Sequence, residues 1–111
     1  MKTVIETAEG YMIRCPACGW HEFPKQGKPG ASWTFNGNFE RPTFKPSMNE
    51  AVGPFPDGSK WAGQIRRCHF VLTDGVLHFC GDCTHDLKGK VVPLEPWTEA
   101  EAAARGLSLY E

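Results

Sequence analysis

Two cysteine pairs dominate the chemistry available to this sequence: Cys15-Pro16-Ala17-Cys18 and Cys80-Gly81-Asp82-Cys83. A two-residue gap lets both sulfurs of a pair reach one ion from a tight turn, and four thiolates suit tetrahedral Zn2+. Cys15, Cys18, Cys80 and Cys83 are therefore the expected ligands of a structural zinc. Such an ion would tie distant parts of the chain together and contribute on the order of 10 kcal/mol to folding. The donor pool exceeds four. Cys68 and His85 are alternates for the later positions, and His21 follows Cys18 by three residues. A Cys3His set, or Cys15, Cys18, Cys68 and Cys83 with Cys80 free, stays open. A thioredoxin-like redox role is not expected, because no helical pattern follows either pair.

A second constellation could cleave bonds. Ser47, His69 and Asp82 supply a hydroxyl nucleophile, a general base and a carboxylate to orient the base, with His85 an alternative orienter. Pro46 restricts the backbone just before Ser47 and could present the hydroxyl rigidly. Spacing alone does not select this reading. There is no G-x-S-x-G elbow, and a turn serine, a packed histidine and an aspartate supporting a zinc turn would look the same. There is no H-E-x-x-H either, so a zinc hydrolase is not expected.

These residues must be held by short elements. The chain has 111 residues, one domain's worth, with 12 Gly and 9 Pro. That mixture suits short strands and turns better than long helices. Strands are expected at Thr3–Ile5 and Tyr11–Ile13, at the alternating Ser32–Asn36, and at Val91–Leu94. Thr43–Val52 contains Pro46 and reads as an irregular or edge strand. Pro24–Gly30 and Gly53–Lys60 read as loops. The clearest hairpin is Ile65–Cys80, turning at Thr73-Asp74-Gly75. With Asp74 at the apex, Cys68 faces Cys80 and His69 faces Phe79. Neighbours on a strand point to opposite faces, so Cys68 and His69 part company. Thr98 with Glu101 forms a capping box for a short helix over about 98–106, with Gly106 closing it and Trp97 and Leu107 as anchors.

Composition limits the partners. Net charge is -1, so nucleic acid is not the expected partner. No apolar run is long enough to span a bilayer, and the first residues lack the apolar core of a secretory leader. Five clustered cysteines then read as metal ligands in a reducing cytoplasm, not as a disulfide framework. Trp20, Trp33, Phe35, Phe39 and Trp61 could form a platform for a protein or peptide, or could be the core.

The segments Trp33–Ser47, Cys68–Gly75 and Asp82–Lys90, with Val92-x-Leu94-x-x-Trp97, resemble a small bacterial and phage or prophage zinc-binding family of unknown function. More distantly, Pro46-Ser47 and Cys68-His69-Phe70 are similar to motifs of peptidase-like proteins found with bacterial ubiquitin-like conjugation genes. Cys68 stands where those relatives have serine. The resemblance implies a Ser47 nucleophile with His69, and it favours Cys68 or His85 over Cys80 as a metal ligand. The expected fold is a small β-rich, zinc-ribbon-like domain covering residues 1–111 with one C-terminal helix. Two functions stand side by side: a cytoplasmic zinc module binding a protein partner, and a zinc-stabilised serine hydrolase acting on a peptide substrate.

Overall fold

Met12 and Ile13 are adjacent on one strand, yet both are buried. Side chains alternate across a sheet, so that strand must be covered on both faces. The computed structural model, which describes residues 1–25 and 33–107, provides the two covers. Strands β1 (Val4–Glu6), β2 (Gly10–Cys15) and β3 (Gly19–Pro24) form an antiparallel sheet in the order β1-β2-β3. Strands β4 (Thr34–Phe35), β5 (Phe44–Val52), β6 (Arg66–Thr73), β7 (Val76–Phe79) and β8 (Val91–Pro93) form a second antiparallel sheet in chain order. Ile13 and Phe23 of the first sheet pack with Phe44, Phe70, Leu72 and Leu77 of the second. Phe23 stacks on Phe44 at 4.0 Å between ring centroids. On the other face of the first sheet, Ile5 and Met12 meet Trp97 and Ala102.

Helix α1 (Glu99–Ala104) forms that outer cover. It lies inside the expected 98–106 segment, and its ends are closed as the sequence suggests. Thr98 Oγ1 accepts from Glu101 N at 3.1 Å. Gly106, at φ 70°, lets Leu107 N reach Ala102 O at 2.8 Å, the left-handed closure that glycine permits. Thr98→Ala should cost about 1 kcal/mol of stability, read as a lower thermal midpoint in calorimetry.

Two expectations change, and a third gains detail. Thr43–Val52 is irregular, as expected, yet it holds β5, a nine-residue strand with β4 beside its first residues and β6 along its other side. Pro46 is tolerated because the register with β6 shifts between Phe44 and Met48, where no ladder N–H is required. The strand expected at Ser32–Asn36 contracts to β4, Ser32 being outside the described residues, as are 26–30 of the expected loop. The hairpin turn has two residues, not three: Thr73 pairs with Val76, and Asp74 and Gly75 take φ 49° and 76°. Two left-handed residues match the twist of the flanking strands, which is why Asp-Gly favours this turn. The resulting one-residue slip pairs Phe70, not His69, with Phe79.

Candidate metal centre and serine–histidine–aspartate site

Along β6 burial alternates: Cys68 is buried, His69 partly exposed, Phe70 buried, Val71 exposed. One strand therefore serves two sites, Cys68 facing the space between the sheets and His69 the outer surface.

On the inner side four donors converge. Cys15 ends β2, Cys18 closes the turn, His21 lies on β3 and Cys68 on β6, and their ligand atoms lie within 4.8 Å of one another. Cys15 Sγ lies 3.2 Å from Cys18 Sγ and 3.9 Å from Cys68 Sγ, while Cys18 Sγ lies 2.8 Å from His21 Nε2. Sulfurs on one tetrahedral zinc sit about 3.8 Å apart, so the cage is of ion size. With Nε2 turned to the thiols, His21 Nδ1 faces Glu50 Oε2 at 3.4 Å. The pair does not meet hydrogen-bond geometry, and His21 Nδ1 is left buried without a hydrogen-bond partner among the described residues. The cluster can hold a metal ion, and the ion would clasp the two sheets together.

The four donors share their protons unequally. Hydrogen bonds from Cys18 and then Cys68 hold the Cys15 thiol far below its usual range. Cys68 is pushed up, first by its hydrogen bond to Cys15. Burial pulls His21 down, but the Cys15 and Cys18 sulfurs outweigh it and raise it to about 10. At neutral pH a metal must therefore displace protons from His21 and Cys68. Binding that releases protons tightens as pH rises. Titrations between about pH 6 and 8 should show affinity climbing, with proton release visible as a dependence of the heat on the buffer.

On the outer side, Asn49 of β5 pairs with His69, which puts Ser47 diagonally across from the histidine on the same face. Ser47 Oγ lies 3.3 Å from His69 Nε2. Trp33 Nε1 donates to Ser47 O at 3.3 Å and steadies the shifted stretch of β5. Asp82 arrives by a short excursion of the chain. Cys80 N donates to His69 O, and Thr84 N donates to Arg67 O, so both flanks return to β6. The turn between them lifts Asp82 over the sheet, where its Oδ1 lies 2.9 Å from His69 Nδ1. Arg67 Nη1 donates to Asn49 Oδ1 at 2.7 Å, and its Nε lies 4.0 Å from Asp82 Oδ2. The side chains of His69 and Asp82 remain 23% and 53% exposed. Serine, imidazole and carboxylate stand in the order required to remove a hydroxyl proton and stabilise the imidazolium that results.

The expected second half of the metal site differs. Cys80 and Cys83 lie outside the four-donor cluster. The one-residue slip of the hairpin carries Cys80 to the outer face beside His69 and Asp82. Cys83 is buried, but its sulfur is bound to the β6 backbone, 3.3 Å from His69 N and 3.1 Å from His69 O. His85 accepts from Leu87 N at 3.2 Å and sets its ring edge-on to Phe79. His21 takes the place expected of the second pair. Its signal was the alternation His21-x-Phe23, which turns both residues inward directly after the first cysteine pair. Most of the aromatic candidates also face inward: Trp33, Phe35 and Phe39 pack against the core, and Trp20 alone is 43% exposed with Arg105 over its ring.

No described helix is long and apolar enough to cross a membrane. Residues 2–80 match the family described as bacterial ubiquitination-like system serine protease (BubE). The match spans the four metal-site donors, Ser47 and His69, and ends two residues before Asp82. No curated protein and no solved structure matches the chain.

Proposed function

The chain belongs to the bacterial ubiquitination-like system serine protease (BubE) family, and from that premise we propose that it is a zinc-stabilised serine protease. The observation that carries the reading is the hydrogen-bonded series Ser47–His69–Asp82. Ser47 Oγ is the nucleophile. His69 Nε2 takes its proton as Oγ attacks the carbonyl, and returns it to the leaving amine. Asp82 holds the other ring proton on Nδ1, so that Nε2 is free to accept. The 3.3 Å Ser47–His69 separation is a resting distance that tightens with substrate.

The donor set of three thiols and one imidazole suits zinc, with no site left over for a catalytic water. Bound there, zinc supplies cohesion between the sheets. The chain's own part is to anchor Cys68 from behind, which fixes the backbone that carries His69.

The substrate class is a protein tail. The catalytic groups lie on an open sheet face, which suits an extended polypeptide better than a small molecule. β4 pairs β5 only at Phe44 and Lys45, so among the described residues the stretch from Pro46 to Val52 has one unpaired edge beside Ser47. An extended tail can add there as a further strand. Given the family, the tail is that of a ubiquitin-like protein, either its C-terminal extension or its link to a conjugated partner. The test is to incubate zinc-loaded protein with a ubiquitin-like protein extended at its C-terminus and read intact masses. A new product mass is expected. An unchanged substrate across such proteins from bacterial conjugation systems would overturn the assignment of the tail.

A module that only binds a protein partner has no need of Ser47 beside His69. Their hydrogen-bond contact favours the protease.

A further inference from the structure

Cys80 is used neither by the four-donor cage nor by the serine–histidine–aspartate series. It is partly exposed, and its thiol has no hydrogen-bond partner among the described residues. Its sulfur nevertheless lies within 4.8 Å of ligand atoms of both His69 and Asp82. We propose that Cys80, His69 and Asp82 form a second, inhibitory site for a thiophilic divalent cation such as zinc, which switches the protease off when the ion is in excess.

The chemistry of the three donors supports this. Thiolate, imidazole and carboxylate are the ligand types that zinc takes together, and three protein ligands leave one position for water. The side chain of Asp82 is half exposed, so an ion can enter from solvent. The first cage has four donors, three of them sulfur, and all but Cys18 are buried. The second site should therefore be the weaker and the more readily reversed.

The off state follows from the ring nitrogens. On the protease reading the ring proton sits on Nδ1, toward Asp82 at 2.9 Å, which leaves the Nε2 lone pair for Ser47 at 3.3 Å. A cation bound by Cys80 and Asp82 meets Nδ1, which is the nearer nitrogen to Asp82 at 2.9 Å. To bind, Nδ1 must offer its lone pair, so the neutral ring carries its proton on Nε2. Nε2 then donates and can no longer accept the Ser47 proton. Cys80 gives its thiol proton to solvent as it ligates.

This inference rests on the protease reading only for its consequence, so the test counts ions separately from chemistry. Protein loaded with one zinc is titrated with Co2+ while native mass spectrometry, near-ultraviolet absorbance and labelling of Ser47 by a fluorophosphonate are followed. A second ion is expected, with a thiolate-to-cobalt band, and labelling should fall at the same midpoint. Cys80→Ala, checked for folding by circular dichroism, should keep the first ion and lose the second together with its band. Uptake of only one ion by the wild type, or an unchanged second ion in Cys80→Ala or Cys80→Ser, overturns the proposal. If the second ion binds through Cys80 but Ser47 never labels, the site stands and the protease reading falls.

Discussion

Ser47→Ala is expected to reduce hydrolysis by roughly 10⁴-fold or more while leaving the fold and the metal content intact. The hydroxyl sits on the outer face and fills no part of the core, so its loss leaves no cavity. His69→Ala should cost about as much, and the double variant little more, because the two act as one unit. Asp82→Asn should keep its place yet lower kcat by roughly 10²–10⁴-fold, since an amide can present N–H where the histidine needs an acceptor. Kinetics on a cleaved ubiquitin-like tail, with circular dichroism for each variant, make the comparison. A merely structural serine predicts a change in stability and additive effects. Turnover surviving in Ser47→Ala would remove it as the nucleophile.

Loss of the metal is expected to have the largest effect on the fold. A structural zinc contributes on the order of 10 kcal/mol, while a domain of this size has about 5–15 kcal/mol in all. Cys15, Cys18 and His21 come from β2, β3 and the turn between them and Cys68 from the larger sheet, so an ion held there would join the two layers. Chelation, or Cys68→Ser, should therefore abolish cooperative thermal unfolding. Cys83→Ser should retain one ion, because Cys83 binds backbone at His69. Native mass spectrometry paired with calorimetry gives both readouts. A chelated chain that melts at the midpoint of the loaded one would contradict the role of the ion.

Much of this arrangement was legible in local pattern. Alternation along Cys68–Leu72 separates Cys68 from His69, and that separation is the plan of the molecule. The capping box at Thr98 and the closing Gly106 locate the helix within a residue or two. Residue type suggests Ser47 and His69 with Asp82 or His85, the resemblance supports the first two, and the fold brings Ser47, His69 and Asp82 within hydrogen-bond reach.

What the sequence did not reveal lies in register and in the meeting of the sheets. A three-residue hairpin turn puts Cys80 opposite Cys68. The two-residue Asp74-Gly75 turn moves it to the other face, and a slip of one residue exchanges every side chain. Spacing of the second cysteine pair suggests a zinc turn, but spacing cannot report that β6 presents Cys68 to the first pair across the gap between sheets. His21 was visible as a donor, yet only recognition of β3 as a strand turns it inward. Pro46 marks the strand as irregular, and the register shift that removes the need for its N–H is that irregularity; what the proline hides is the nine-residue length of β5.

An ion held by the four-donor cluster and a nucleophilic Ser47 would lie on opposite faces, joined through the adjacent residues Cys68 and His69. Mapping the fluorophosphonate adduct by mass spectrometry, on zinc-loaded protein and again after chelation, tests that coupling most directly. One adduct at Ser47 in the loaded protein, its loss on chelation and its return with one equivalent of zinc is the predicted result. An adduct on another residue, none on the loaded protein, or equal labelling of Ser47 without the ion would contradict it.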